Sequence, residues 1–224
     1  MNDNVVNKKS FLSQVTEIVK TNIRNILILL SLCFVLFLSF QIYSFYISNK
    51  IQKNSISFFS VQNTDDTNVI IDTITKLSDD NTFYGVLAKL ELIDLSLKQN
   101  NIQDSVSMYL EVINTNNLDA VYKSAIASKA SYQLIDINLG DLSSDYLNII
   151  NDFISYIDED TDSYKGIKLE LKYLIKILEV EKNSIDYSSS NEVNDIYENI
   201  MSSDVVSSAI KERVNKIHEF YSNK

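Results

Sequence analysis

ILILLSLCFVLFLSFQIYSFYI, residues 26–47, sits inside an uncharged run from Asn25 to Asn49 that is bracketed by Arg24 and Lys50. At about 1.5 Å of rise per residue, a helix needs about 20 mostly apolar residues to cross a bilayer. This run meets that length, and a helix satisfies its own backbone hydrogen bonds where lipid cannot. Tyr43, Phe45 and Tyr46 cluster at its C-terminal end, where an interfacial aromatic belt is expected. The polar interruptions Ser31, Ser39, Gln41 and Ser44 are few enough to tolerate. A cleaved signal peptide would have an apolar core of only about 7–15 residues and a small-x-small cleavage site. Tyr43-Ser-Phe-Tyr-Ile47 offers no such site. The stretch therefore reads as a single-pass membrane anchor.

The flanks set the expected direction. Lys8, Lys9, Lys20 and Arg24 precede the span, whereas Lys50 and Lys53 follow it, ahead of Asp65 and Asp66. Excess positive charge marks the cytoplasmic side. Residues 1–24 are accordingly expected to form a cytoplasmic tail, 25–49 the transmembrane helix, and 50–224 a domain on the outer face. In a Gram-negative cell that means a periplasmic domain on the cell inner membrane.

Charge divides at the same place. Residues 1–53 hold six basic and two acidic side chains, net +4; residues 54–224 hold fourteen basic and twenty-eight acidic ones, net −14. A domain of that sign has no basic face with which to neutralise nucleic-acid phosphates, and anionic lipid repels it. Solubility accounts for the charge, and selectivity for basic partners is the second reading. The single cysteine, Cys33, lies within the span, so no intramolecular disulfide can form. There is no proline and only three glycines. Sheets and tight hairpins usually draw on those residues, so the chain reads as all-α.

Apolar residues recur at helical spacing through the chain. Phe11–Arg24 reads as an amphipathic lead-in to the anchor, and the helix is expected to continue outside the membrane through Ser48–Val61. Further helices are expected over Thr67–Leu77, Phe83–Lys98, Ile102–Ile113, Leu118–Ile137, Leu142–Ile157, Ser163–Glu181, Glu192–Met201 and Asp204–Tyr221. Ala120, Ala125, Ala127 and Ala130 give the fifth of these nine helices a small-residue face. Asn138-Leu-Gly140 reads as a C-terminal stop. Helices of this length joined by short turns are the mark of a helical-repeat domain.

One unit carries a recognisable pattern. Lys98-Gln-Asn-Asn-Ile-Gln-Asp-Ser-Val-Ser-Met-Tyr-Leu-Glu-Val-Ile113 resembles the tetratricopeptide pattern K-Q-G-D-Y-x-x-A-I-x-x-Y-x-x-A-L. Asn100 takes the glycine position, where left-handed backbone is needed and Asn is the next best residue. Ile102 stands in for Tyr, Ser105 holds the small position between paired helices, and Tyr109 holds the aromatic one. Ala120 opens the following helix 34 residues after Val86, whereas Lys89 and Ile93 depart from the pattern in the preceding helix. Phe83-Tyr-Gly-Val-Leu-Ala-Lys-Leu-Glu-Leu-Ile93 and the closing helices from Leu169 to Tyr221 extend the likeness. The whole arrangement resembles the YfgM-type family of bacterial inner-membrane proteins. It departs from them at Glu181–Asn191, where a serine-rich stretch replaces a tight turn. The resemblance implies a tetratricopeptide-like α-solenoid of antiparallel helix pairs, and an accessory role at the Sec translocon linked to periplasmic chaperones. Translocon subunits and a periplasmic folding factor are then the expected partners.

Catalytic patterns are missing. No Walker loop, G-x-G-x-x-G or G-x-S-x-G occurs. With one cysteine in the span and a single histidine, His218, read as an ordinary surface residue, a zinc site is excluded. Asp158-Glu-Asp-Thr-Asp162 lacks the Gly and Glu that a calcium loop needs, and reads as a solvated, helix-capping loop. The chain therefore reads as a non-enzyme without cofactor or metal. Its thirteen tyrosines invite two readings. Tyr84, Tyr109, Tyr122, Tyr132 and Tyr173 either fill gaps between helices with the hydroxyl reaching water, or line a partner-binding face. Two functions follow: a membrane-anchored adaptor, or a structural scaffold of an envelope or cell-division complex that self-associates as a homo-oligomer.

Overall fold

The computed structural model describes residues 11–115, 118–138, 144–160, 162–185, 187 and 190–223. Among these, the regular structure is helical and no strand occurs. The helices are α1 (Phe11–Val61), α2 (Thr67–Ser78), α3 (Phe83–Lys98), α4 (Ile102–Ile113), α5 (Ala120–Asn138), α6 (Ser144–Ser155), α7 (Asp162–Lys182), α8 (Asn191–Ser202) and α9 (Ser208–Ser222).

The lead-in, the apolar run and the external extension form one helix, α1, whose backbone leaves helical geometry only at Asn22 (φ −111°, ψ 15°). It is the one helix among the described residues long and apolar enough to cross a membrane. Leu27 through Tyr46 present their large apolar side chains outward rather than to the rest of the protein. That pattern fits a lipid-facing helix and not a core helix.

Helix ends fall where short polar side chains can serve them. The Asp66 carboxylate accepts from Asn68 N and Val69 N at the start of α2, and Ser190 and Ser207 cap α8 and α9. The α9 start therefore lies at Ser208, four residues past the expected Asp204, because the Ser207 hydroxyl takes the Ile210 amide. Asn100 has φ 60°, its amide bonds Leu97 O and the Asn101 amide reaches Ser96 O. This is a Schellman stop for α3, with asparagine in the left-handed place expected of it. The same device ends α7, where Ser184 (φ 53°) bonds Glu181 O and Ile185 N bonds Val180 O. The serine-rich stretch thus opens with an ordered turn. The stop expected at Gly140 lies outside the described residues.

Each helix packs on its neighbour in sequence. The odd-numbered helices pack on one another as well, α1 on α3, α5 on α7 and α7 on α9, while Lys129 of α5 pairs with Asp94 of α3 at 2.8 Å. Buried Ala127, Ala130, Ser124, Ser128 and Ser131 let α5 be approached closely. The Ser128 and Ser131 hydroxyls return to the carbonyls four residues earlier, which satisfies them without a partner helix. The α7 helix is two-sided. Leu171, Ile175 and Leu178 join the central core with Tyr109, Leu134 and Phe153; Tyr173, Ile177 and Val180, two residues out of step, join a second core with Val193, Ile200 and Val214. A third cluster, Phe58, Val61, Ile74, Leu77 and Ala88, fastens α1 to α2 and α3.

The acidic loop after α6 is drawn inward. Lys168, itself buried, donates to Ile157 O at 2.9 Å and pairs with Glu159 at 2.9 Å, and Asp158 N donates to Ser124 Oγ at 3.0 Å. The lysine ammonium thus takes the place of a cation for this loop, and its hydrogen bond holds the Glu159 carboxyl below its usual range.

Candidate functional site

Four aromatic rings from three odd-numbered helices form a contiguous row on the surface. Phe59, in the last turn of α1, meets Tyr84 at 6.1 Å; Tyr84 meets Phe83 at 5.7 Å; Phe83 meets Tyr122, in the first turn of α5, at 6.0 Å, all edge to face. Phe59, Phe83 and Tyr122 are 49%, 50% and 51% exposed, and Val121 beside them is exposed too. Three of the four rings are thus half open to water in one continuous apolar patch, not scattered singly over the surface. A groove of about 200 Å³ lies at its Phe83–Tyr122 end, lined by Thr82, Phe83, Val86, Leu118, Asp119 and Tyr122 among others.

The row is rigidly placed. Thr82 caps α3 and Asp119 Oδ1 accepts from Val121 N at 2.9 Å, so Phe83 and Tyr122 each sit in a capped first turn. Gly85 allows α3 to meet the end of α2: a Cβ there would lie 1.8 Å from the Asp80 carbonyl oxygen. On α1, the buried Asn54 donates to Asp80 Oδ2 at 2.8 Å and to Thr82 Oγ1 at 3.0 Å, while Lys50 pairs with Asp80 Oδ1 at 2.9 Å. Burial pushes the Asp80 carboxyl up, but hydrogen bonds from Lys50 and Asn54 outweigh it and hold the group below its ordinary value. The Asp80 bond correspondingly raises Lys50. Lys50 is thus more than a charge flanking the apolar run: it clamps the helix to the α2–α3 turn. Arg24 is exposed at the other end of the run.

The five tyrosines singled out by spacing fall into two groups. Tyr84 and Tyr122 belong to the row. Tyr109 and Tyr173 are fully buried and offer no surface to a partner. Tyr109 packs against Phe153 at 5.9 Å and donates to Gln133, and Tyr173 shares a hydrogen bond of 2.5 Å with Tyr187. Tyr132 donates to the buried Glu170 at 2.7 Å, and Glu170 also receives Arg213 of α9. Burial raises all three phenols well above their ordinary pKa, with carboxylates adding for Tyr109 and Tyr132 and Tyr187 for Tyr173. These three serve packing because their helix positions face neighbouring helices.

Phe59 and Phe83 complete the row although neither is among those five tyrosines. His218 is no ordinary surface residue. Its Nδ1 lies 2.7 Å from Tyr187 Oη and 3.2 Å from Tyr173 Oη, and its ring stacks on Tyr197 at 3.8 Å. Burial lowers its pKa. Nothing in sequence spacing joined Tyr187 to α7 and α9.

Among its described residues the chain is all-helical and carries one membrane-length apolar helix. Compared with known protein families, with characterised proteins and with solved structures, it matches none.

Proposed function

We propose that the chain is a single-pass, membrane-anchored protein-interaction module whose helical domain, residues 50–224, grips a partner through the Phe59–Tyr84–Phe83–Tyr122 row. That row is the observation that carries the reading: it is apolar and continuous across three helices, Phe59, Phe83 and Tyr122 in it are half exposed, and Phe83 and Tyr122 sit in capped first turns. A partner segment with apolar anchors and basic flanks fits it, since residues 54–224 carry net −14 and opposite charge steers encounter. The domain is not an enzyme in this reading.

The domain is read as a tetratricopeptide-like α-solenoid. The Schellman stop at Asn100, buried Ser105 and Tyr109, and the mutual packing of odd-numbered helices support that reading. The flanking charges support a cytoplasmic N-terminus and an outer-face domain in the inner membrane. The resemblance to the YfgM-type family supports a place at the Sec translocon, with a periplasmic folding factor as second partner. Co-purification in mild detergent tests it. Wild-type chain should retain translocon subunits or a folding factor, and Phe83→Ala with Tyr122→Ala should release them while leaving the far-ultraviolet helical signal unchanged. Retention by the double variant would sink the role of the row, and absence of any translocon component from the wild-type sample would sink the placement.

A further inference from the structure

Gln41 is a polar side chain inside the apolar run. The Ser39 hydroxyl returns to the Val35 carbonyl at 2.9 Å, but the Gln41 amide makes no hydrogen bond among the described residues and is exposed. In hydrocarbon an unpaired amide is costly. Its position is not isolated. Phe34, Leu38, Gln41, Phe45, Ser48 and Gln52 are spaced alternately four and three residues apart, the heptad seam along which two helices pack. All six are exposed, Phe45 at 70%.

This seam points away from the domain. At about 100° per residue, Asn54 lies about 200° round the helix from Gln52, and Val61 about 180°. Those two, with Phe58, are the buried contacts that hold α1 to α2 and α3. A second helix can therefore lie along Phe34–Gln52 without displacing those buried contacts; the same face of α1 reaches the aromatic row only at Phe59, seven residues beyond Gln52.

We propose that α1 pairs in parallel with α1 of a second copy of this chain along this seam, with the two Gln41 amides bonded to each other. A second copy is the occupant because the amide is both donor and acceptor, so two of them complete each other across a twofold. Copies inserted with the same topology bring Gln41 to the same depth with no adjustment. A single polar residue in an otherwise apolar seam fixes register in just this way, and interhelical amide bonds hold helices together in lipid. Ser48 and Gln52 continue the contact beyond the bilayer, where small and polar residues allow close approach.

The test is cysteine crosslinking of the full chain in native membranes, on a Cys33→Ser background. Phe45→Cys, Ser48→Cys and Gln52→Cys should give disulfide-linked dimer under copper–phenanthroline several-fold above Tyr46→Cys and Lys53→Cys, about 100° round the helix from the seam, and above Tyr43→Cys on the opposite side. Adding Gln41→Leu, which only makes the span more apolar, should reduce that dimer several-fold, and Gln41→Asn should restore it in part. Equal crosslinking around the helix, or undiminished dimer with Gln41→Leu, would overturn the pairing. The partner captured by the row is tested separately, through Phe83 on α3 and Tyr122 on α5, neither of which lies on this seam.

Discussion

Glu170 on α7 and Arg213 on α9 meet as a two-pronged ion pair, Nε to Oε1 at 2.8 Å and Nη2 to Oε2 at 2.7 Å, with the Glu170 side chain almost wholly buried. Tyr132 of α5 donates to the same carboxylate. One buried acid thus ties three odd-numbered helices together, and its bonds to Arg213 hold the guanidinium firmly charged.

Removing the outer partner strands the inner one. Arg213→Ala should destabilise the domain by about 2–3 kcal/mol, below the full cost of breaking a buried pair because Arg213 is half exposed. Arg213→Lys should recover only part of this, since an ammonium cannot make both bonds. Urea unfolding of the full chain in detergent reads the difference. An Arg213→Ala midpoint equal to wild type contradicts the pairing.

Gly85→Ala should be among the most damaging small substitutions in the chain. The added carbon meets a main-chain oxygen, which cannot swing aside as a flexible side chain can. A loss of about 3 kcal/mol is expected, at the upper end of ordinary overpacking, and thermal unfolding measures it. Gly166→Ala makes a useful comparison. Its nearest contact is the Ile210 Cδ1 methyl at 3.1 Å, which can move, so it should cost less.

Asn100 tests the turn that ends α3. At φ 60°, Asn100→Gly should be neutral or slightly stabilising, whereas Asn100→Val should cost about 1–2 kcal/mol. Equal stability of the two variants would show that the left-handed turn is absent.

Helix order and most helix ends could be read from the chain, since apolar spacing and Asn, Asp and Ser breaks are local signals. The bounds of α3 and α4 fell where spacing put them because Thr82 and Asn100 act within a few residues of themselves. What escaped depends on distance in sequence. Tyr187 bonds Tyr173 and His218, fourteen and thirty-one residues away, and a serine-rich stretch gives no hint of it. Tyr109 and Tyr122 look alike in periodicity, yet one is sealed against Phe153 and the other stands open, because only the packing of α4 and α5 decides which face is covered.

His218 gives the C-terminal cluster a pH dependence. Burial holds the folded ring's pKa below 6.5, with Glu198 and Glu219 opposing, and Tyr173, Tyr187 and Tyr197 packed around it. On acidification the unfolded chain therefore takes the proton first. The stability this group contributes is complete above about pH 6.5, declines as pH falls through that value, and levels off once the folded ring is protonated. Urea midpoints between pH 7.5 and 5 should fall for wild type and change less for His218→Gln. Parallel slopes would contradict a half-buried, neutral ring.

In the proposed function a partner binds at the aromatic row, held close to the membrane by α1. Photo-crosslinking from Tyr122 in intact cells tests it most directly, using a benzophenone amino acid there and, as control, in place of exposed Glu212 on α9. The account predicts a discrete adduct with a translocon subunit or a periplasmic folding factor from position 122, lost with Phe83→Ala and absent from position 212. No protein adduct from position 122, or the same adducts from both positions, would contradict it.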